Sequence, residues 1–169
     1  MDRNRRHREV EDVLAEHGPA LARLAAAYER RPAVREELLQ DIAVALWQAL
    51  PSFRGDASMR TFVLRVATNR AMTHLARRPP SAASLEEAAE LPDGAPSPEA
   101  AAEAAGRSAR LFAAVAALPL PLKQVVSLAL EGLATAEIAA VLGLGESNVS
   151  VRLHRGKAKL REMMVNDHE

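Results

Sequence analysis

Cysteine is missing from this 169-residue chain, and its absence excludes disulfide frameworks, thiolate metal sites and cysteine nucleophiles. Aromatic residues are also scarce, at 3% of the sequence, although 49% of the residues are hydrophobic. A β-sandwich would need more aromatic and β-branched residues. The composition therefore favours an all-α fold built from small, closely packed helices.

Long hydrophobic segments are missing as well. No apolar run approaches the roughly 18 residues that a membrane span needs, so we expect no membrane insertion. The basic residues near the N-terminus are not followed by an apolar segment, which argues against a signal peptide. Together with the lack of cysteine, these features favour a cytoplasmic protein in a reducing compartment.

Net charge is absent too, because 22 basic side chains balance 22 acidic ones. The two signs are nevertheless segregated along the chain. Residues 57–85 contain five arginines and no acid, whereas residues 86–103 contain six acids and no lysine or arginine. Because charges act over roughly 8–10 Å in physiological salt, a basic segment can bind an anion although the total charge is zero.

Apolar residues at helical spacing divide the chain into two helical blocks. In the first block we expect two helices separated at Gly18-Pro19, because proline disfavours a helix interior. A further helix should cover residues 33–50. After a polar loop, another helix should begin at a capping Asp56 or Ser58.

Between the blocks lies a segment rich in proline, alanine, serine and acid, which we interpret as a flexible linker with a short helix near residues 97–106. The second block should contain four helices, the third of them capped by Thr135 and ended by Gly143. The predicted organisation is a basic tail (1–9), a first domain (10–78), a linker (79–106), a second domain (107–165) and a C-terminal tail (166–169).

A helix-turn-helix is indicated by the spacing of Ala139, Gly143 and Val149. The first helix needs a small residue where the second helix crosses it. The turn needs a residue that tolerates a positive φ, and glycine does so at the lowest cost. An apolar residue early in the second helix then packs back under the first.

The last helix divides into two faces. Val149, Leu153, Gly156 and Leu160 form one stripe, which we assign to the core, with Gly156 permitting close approach of another helix. The opposite face combines short polar side chains with flanking cations, as expected for a helix that reads the major groove. The predicted DNA-binding residues are Ser147, Asn148, Ser150, Val151, Arg152, His154, Arg155, Lys157 and Lys159.

An alternative interpretation of this helix is a solvated cationic face that binds nothing. His154 could also be a metal ligand, although no partner ligand lies at the required spacing. The sequence also lacks a phosphate-cradling glycine loop and a nucleophile beside a histidine. We therefore predict no enzyme, no catalytic residue, no metal and no cofactor.

The stretches "LPSFRG", "RTF" and "RVATNRAMTHLARR", all within residues 38–78, resemble region two of bacterial sigma factors of the extracytoplasmic-function (ECF) group. The stretch "EGLATAEIAAVLGLGESNVSVRLHRGKAKL" resembles region four of the same family. The two matches occur in the family's order and together cover roughly residues 20–163. The resemblance therefore implies two small helical domains that direct RNA polymerase to promoters.

The resemblance implies that the helix near residues 34–50 docks on the β′ clamp helices of core RNA polymerase, while region four meets the β flap. Without the resemblance, the acidic residues of this helix would be interpreted as a solvated face with no binding partner. Members of the family have an acidic cluster just before a Leu-x-Gln-acid motif. By this pattern, the residues assigned to polymerase binding are Glu36, Glu37, Leu39, Gln40 and Asp41.

Recognition and opening of the minus-ten element fall, by the same resemblance, to the loop after residue 50 and the helix that follows it. Asn69 stands where the family places a polar residue against a flipped base. Phe53 and Phe62 can stack on bases, but we favour a core position for both and for Trp47. The minus-ten set comprises Arg54, Arg60, Arg65, Asn69, Arg70, Thr73, His74 and Arg77.

In this interpretation, region four reads the minus-thirty-five element of promoter DNA and an anti-sigma factor controls the protein. Two other functions remain to be separated from it. A dimeric helix-turn-helix regulator would bind DNA without docking on polymerase, and an all-helical adaptor would bind only protein. The basic N-terminal tail either touches DNA or is disordered.

Overall fold

A computed structural model describes residues 3–78 and 99–166 of the chain. Within these ranges it contains seven α-helices, one short 3-10 helix and no strand, which confirms the predicted all-α fold. The helices are α1 (Arg3–Tyr28), α2 (Pro32–Ala49), α3 (Met59–Ala76), α4 (Glu99–Ala117), α5 (Leu120–Leu130), α6 (Thr135–Leu142) and α7 (Glu146–Asn166), and the 3-10 helix covers Leu50–Ser52.

Helices α1, α2 and α3 pack against one another as a first bundle. Its centre is formed by large apolar side chains that are almost completely buried: Leu24, Leu38, Ile42, Leu46 and Leu64. Ser58 caps α3, and its Oγ accepts a hydrogen bond of 3.1 Å from the backbone N–H of Thr61. Of the two predicted capping residues, Ser58 is thus the one used.

The predicted break at Gly18-Pro19 is wrong, because α1 continues through Pro19. Proline removes one backbone hydrogen bond and usually disfavours a helix interior. Here the residues before and after it share one buried stripe, which includes Val13 and Leu24. Burial of that continuous stripe against α2 and α3 offsets the local cost.

The N-terminal tail predicted over residues 1–9 is helical from Arg3 onward, so the disordered alternative is wrong for this part. The guanidinium carbon of Arg6 lies 5.3 Å from the centroid of the Trp47 ring. This contact connects the start of α1 to the outer face of α2.

Helices α4 to α7 form the second bundle. Val115, Val125, Leu128, Ile138 and Val149 are its most buried apolar side chains. Helix α4 begins at Glu99, so residues 99–106, which the sequence assigned to the linker, form its first turns. The rest of the predicted linker and residues 167–169 lie outside the described residues.

The N-terminus of α6 differs by one residue from the prediction. Ala134, not Thr135, is the residue before the helix. Glu137 folds back, and its Oε2 accepts a hydrogen bond of 2.7 Å from the backbone N–H of Ala134. The carboxylate of Glu137 thereby satisfies a backbone donor at the helix start without a capping side chain at the first position.

The two bundles touch each other. Helices α4 and α5 pack on α1, and α6 packs on α3. Tyr28 of α1 is buried, with the Lys123 ammonium of α5 lying 5.9 Å from its ring centroid. The first and second domains are therefore docked on each other in this structure.

Candidate nucleic-acid interface

Helices α6 and α7 form the predicted helix-turn-helix. Gly143 ends α6 with φ of 66°, a left-handed conformation, and its backbone N–H donates to Ala139 O. The N–H of Leu144 also bonds the same carbonyl, at 3.0 Å. Glycine is the residue that adopts this turn at the lowest cost, so the predicted role of Gly143 is confirmed.

The inner stripe of α7 is in the core as predicted. Val149, Gly156 and Leu160 are buried, and Leu153 is partly buried. A Cβ on Gly156 would lie 2.5 Å from Cγ2 of Val126 on α5. The absence of a side chain at residue 156 is what allows α5 and α7 to approach so closely.

The outer face of α7 lies on the protein surface. Val151 is 49% exposed although it is apolar, and no packing against the rest of the bundle accounts for that position. Lys159 contacts Glu162 at 3.4 Å, an exposed pair of little energetic weight. The predicted minus-thirty-five residues that are exposed are Ser147, Asn148, Ser150, Val151, His154, Arg155, Lys157 and Lys159, and Arg152 is half-buried.

A groove between α2 and α3 brings together part of the predicted minus-ten set. It has a volume of about 390 Å³ and is lined by Gln48 of α2 and by Asn69, Arg70 and Thr73 of α3. Within the described residues, Nε of Arg70 is buried without a hydrogen-bond partner. That buried N–H is not open to a ligand in this arrangement, whereas the exposed Asn69 amide can reach a base edge or a phosphate.

Two aromatic side chains hold the start of α3. The rings of Phe53 and Phe62 lie 5.0 Å apart between centroids. Phe62 is buried, which confirms its predicted core position, whereas Phe53 is only half-buried. The guanidinium carbon of Arg65 lies 5.6 Å from the Phe62 centroid, while Arg54 in the preceding loop and Arg77 beyond α3 are exposed.

Arg60 and His74, two further members of the predicted minus-ten set, already contact carboxylates. Arg60 donates to the carboxylate of Glu131 at 3.1 Å and to the Glu131 backbone carbonyl at 2.7 Å. Nε2 of His74 lies 3.1 Å from Oε2 of Glu29. Sequence patterns cannot reveal such pairings, because the partners are 71 and 45 residues away in the chain.

Glu29 is 1% exposed and lies at the centre of what we call the Glu29 cluster. Arg31, His74 and Arg78 place donors around its carboxylate at 3.0 to 3.5 Å. Burial raises the pKa of Glu29, but the hydrogen bonds from Arg31 and His74 and the charge of Arg78 outweigh burial and lower the pKa to about 2. The cluster ties the end of α1 to the end of α3.

The predicted polymerase-binding residues lie along α2. Glu36, Glu37, Gln40 and Asp41 are exposed, and Leu39 is half-buried. The predicted core position of Trp47 is wrong, because it is 38% exposed. Leu38, Ile42 and Leu46 form the buried stripe, whereas Gln40, Val44 and Trp47 follow the opposite line at helical spacing, a signal that was available in the sequence.

Residues 3–78 and 99–166 contain no group of three or more histidine, aspartate or glutamate side chains placed to hold a metal ion. No helix in these ranges is long and apolar enough to cross a bilayer.

Comparison with known protein families gives two matches. Residues 13–79 match the model of sigma-70 region 2. Residues 108–160 match the model of sigma-70 region 4. The first range covers the bundle that holds the groove, and the second covers the helix-turn-helix.

Individual proteins match over both bundles. RNA polymerase sigma factor CnrH of Cupriavidus metallidurans is 30% identical over 167 residues, covering 93% of this chain and 87% of the relative. ECF RNA polymerase sigma factor SigM of Mycobacterium tuberculosis is 27% identical, covering 91% of this chain and 76% of the relative.

Among solved structures, CnrH in complex with the cytosolic domain of CnrY is similar with a TM-score of 0.66 and 27% identity, covering 95% of this chain and 90% of that one. Sigma factor RpoE of Bartonella quintana, solved with the anti-sigma factor NepR, has a TM-score of 0.75 at 18% identity, covering 92% of this chain and 96% of that one. At 18% identity, the similarity to RpoE shows a shared fold only.

Proposed function

The chain belongs to the sigma-70 family, within its ECF group, and from that membership we propose how its surfaces divide the work of promoter-specific initiation. Regions two and four both match, and both have the expected helical structure. The dimeric regulator considered above is disfavoured, because the match extends over the bundle that such a protein would not need.

For core polymerase, we propose docking through the outer face of α2. Four of the five predicted side chains are exposed there. The exposed Val44 and Trp47 continue the same face. An acidic rim around exposed apolar side chains suits a partner that presents basic and apolar groups, and the β′ clamp helices are the partner that the family implies.

For the minus-ten element, we propose that the groove between α2 and α3 receives a base from the non-template strand. Support for this proposal comes from the volume of the groove and from the exposed Asn69 amide in its lining. Arg54, Arg65 and Arg77 lie at the surface to hold phosphates. Taking one base out of the stack requires a pocket with polar edges and nearby cations.

For the minus-thirty-five element, we propose that α7 enters the major groove. The observation that carries this proposal is the outer face of α7, where Val151 and Arg155 are exposed although the inner stripe is fully packed. Val151 is suited to a thymine methyl group, and Arg155 is suited to a guanine or a phosphate. Helix α6 packs against α7 across the turn at Gly143, as in helix-turn-helix proteins that dock in this way.

We also propose control by an anti-sigma factor. CnrH and RpoE, the two structural neighbours, were both solved in complex with a partner, the cytosolic domain of CnrY and the anti-sigma factor NepR respectively. This chain aligns with the first of them over 95% of its length at 27% identity. A partner of this class would cover the polymerase-binding or DNA-binding faces.

The proposal is tested by run-off transcription with purified core polymerase on a pool of random promoters, with and without the protein. We expect specific initiation and enrichment of two sequence elements. Arg155→Ala should weaken use of the minus-thirty-five element by about 1–3 kcal/mol. Arg110→Ala, which removes an exposed cation of α4 in the same bundle, is the matched control.

Docking on polymerase is tested separately by binding of core enzyme to Asp41→Arg, with Glu16→Arg on the exposed surface of α1 as the control. We expect only the first change to reduce binding. Duplex binding without any redirection of polymerase would favour the regulator instead, and a chain that bound neither DNA nor polymerase would favour the protein adaptor.

A further inference from the structure

The first two turns of α1 carry arginines that none of the surfaces proposed above uses. Helix α1 begins at Arg3, and its first turn contains no acid. The side chains of Arg5 and Arg8 are exposed, and that of Arg6 is half-buried. We call Arg5, Arg6 and Arg8 the α1 basic patch, a cationic surface at one end of the first bundle.

The two exposed arginines of this patch are not neutralised by neighbouring acids. In the part of the chain that the structure describes, Arg5 and Arg8 form no ion pair, whereas His7 between them contacts Glu11 at 3.2 Å. Both arginines line a surface hollow of about 540 Å³, together with Glu9 and Asp12 from the following turn. The positive charge is therefore confined to the first two turns of the helix.

This placement is unfavourable by local rules. Cations in a first helical turn are repelled by the partial positive charge of the helix N-terminus. Side chains three positions apart are neighbours on a helix surface, so Arg5 and Arg8 also repel each other. A polyanion bound beside the patch would relieve both repulsions, which gives these residue types a physical reason that the isolated helix does not supply.

The α1 basic patch lies next to a surface already proposed to bind DNA. The guanidinium carbon of Arg6 lies 5.3 Å from the centroid of the Trp47 ring, in the last turn of α2. This cation–π contact fixes the start of α1 at that end of the bundle. The loop that leaves α2 there carries the exposed Arg54, a member of the predicted minus-ten set. The patch thus continues the cationic surface of the loop.

The chemistry of the patch favours DNA over a protein partner. Arginine is well suited to phosphate, because its planar guanidinium presents several donors to the phosphate oxygens. A protein interface usually has an apolar centre, but the exposed large apolar side chain beside this patch, Trp47, lies under the Arg6 guanidinium. The acids Glu36 and Glu37 on α2 call for a basic partner, so one polymerase surface would not complement both.

We propose that the α1 basic patch binds backbone phosphates of promoter DNA beside the minus-ten element, on the side of the loop that carries Arg54. The location rests on the proposed function, which places the minus-ten element against this loop and α3. Phosphate contacts add affinity without reading sequence. The patch therefore extends the DNA-binding surface beyond the residues that the family resemblance assigns.

The contact is measured by a salt titration of the free, full-length protein with a labelled single strand of mixed sequence and about 30 nucleotides. The logarithm of the binding constant falls with the logarithm of the salt concentration, by about 0.7 for each phosphate contacted on a single strand. The double variant Arg5→Gln, Arg8→Gln should reduce this slope by about 1.4 between about 0.05 M and 0.2 M NaCl. Its binding at about 0.15 M NaCl should be about tenfold weaker.

Two further double variants separate charge from helix structure. Arg107→Gln, Arg110→Gln removes two exposed arginines at the same spacing from α4 and should leave the slope unchanged. Arg5→Lys, Arg8→Lys keeps both charges, so its slope should equal that of the parent protein. Circular dichroism verifies that the helix content of all the variants is the same.

Equal slopes for the parent protein, the glutamine variant of the patch and the α4 control would overturn the proposal and leave a solvated cationic surface. Weaker binding of core polymerase by the glutamine variant, with an unchanged DNA slope, would also overturn it and assign the patch to a protein contact. The titration uses the free chain and needs no transcription, so its failure is distinguishable from failure of the proposed function.

The position of the patch on the promoter is measured by DNA cleavage. The chain has no cysteine, so an iron–EDTA reagent attaches only at the introduced residue of Glu9→Cys, an exposed position of α1 beside the patch. With core polymerase and a promoter selected by the run-off assay, we expect strand cleavage beside the minus-ten element. The parent protein treated with the same reagent is the control, and cleavage confined to the minus-thirty-five region would overturn the placement.

Discussion

At the scale of single residues, two buried glutamates organise the contacts of this chain. Glu29 binds Arg31, His74 and Arg78 within the first bundle. Glu131 binds arginines across the boundary between the bundles. Since buried charges are tolerated only when they are paired, each glutamate determines the positions of several cations, and these cations are therefore not equivalent to the exposed arginines near them.

Glu29→Gln should destabilise the protein by about 3 kcal/mol at pH 7, because it leaves the surrounding cations without their buried counter-charge. The folded-state pKa of about 2 lies below the ordinary value of 4.5. The Glu29 charge therefore stabilises the fold above about pH 4.5, and this contribution is lost as the pH falls towards 2. Urea unfolding at pH 7 and at pH 3 measures both effects.

The stability difference between the parent protein and Glu29→Gln should thus shrink at pH 3. Glu16→Gln, at an exposed position of the same helix, serves as the control and should unfold like the parent protein at both pH values. A constant difference between pH 7 and pH 3 would contradict the role assigned to the Glu29 charge.

At the scale of helices, packing overrules local preference in α1 and determines the approach of α7 to α5. Pro19 lies inside α1 because a single buried stripe runs along both halves of that helix. Gly156 lies inside α7, where glycine lowers helix propensity, because the neighbouring Val126 occupies the space of a side chain. In both helices the tertiary contact outweighs the cost of an unfavourable residue.

Gly156→Ala should destabilise the protein by about 1 kcal/mol or more. A methyl group would meet Cγ2 of Val126 at 2.5 Å, and overpacking of a core costs about 1–3 kcal/mol, whereas the gain in helix propensity is at most about 1 kcal/mol. Val126 is buried and β-branched, so it has little freedom to move aside. Chemical denaturation measures the change.

Gly106→Ala in α4 is the matched control, because nothing lies within 4 Å of the position of its added Cβ. That substitution should stabilise the protein by about 0.5–1 kcal/mol. If both alanine variants were stabilised to the same degree, the close approach of α5 and α7 would not be the reason for glycine at residue 156.

At the scale of the whole molecule, the two bundles are joined by charged side chains that are partly accessible to solvent. The side chains of Arg23 and Arg60 are 40% and 44% exposed, although Glu131 is buried. Ions in solution can screen such pairs from the arginine side. The contact between the bundles should therefore be weaker at high ionic strength, unlike the apolar core of each bundle.

Small-angle X-ray scattering should show this difference. Between about 0.05 M and about 0.5 M NaCl, where the Debye length falls severalfold, the radius of gyration of the free protein should increase. Arg23→Gln should have the larger radius already at low salt and should change less. A radius that decreased or stayed constant with salt in the parent protein would show that these ion pairs do not hold the two bundles together.

The sequence by itself determined the helical class, the ends of α3, the C-terminal end of α6 and the two faces of α7, because these follow from local rules: apolar spacing, a capping Ser58 and a positive φ at Gly143. Its resemblance to a family also assigned candidate site residues to α2, α7, α3 and the loop before α3, and their functional roles stay predictions. Local rules act between residues a few positions apart, so these features needed no knowledge of the rest of the chain.

Only the tertiary structure decided how α1 passes Pro19 and which cations are already paired. The contact between Arg23 and Glu131 joins residues 108 positions apart, and no periodicity encodes such a pairing. Its existence depends on the burial that two packed bundles create, because only in that environment does a carboxylate require the guanidinium groups around it.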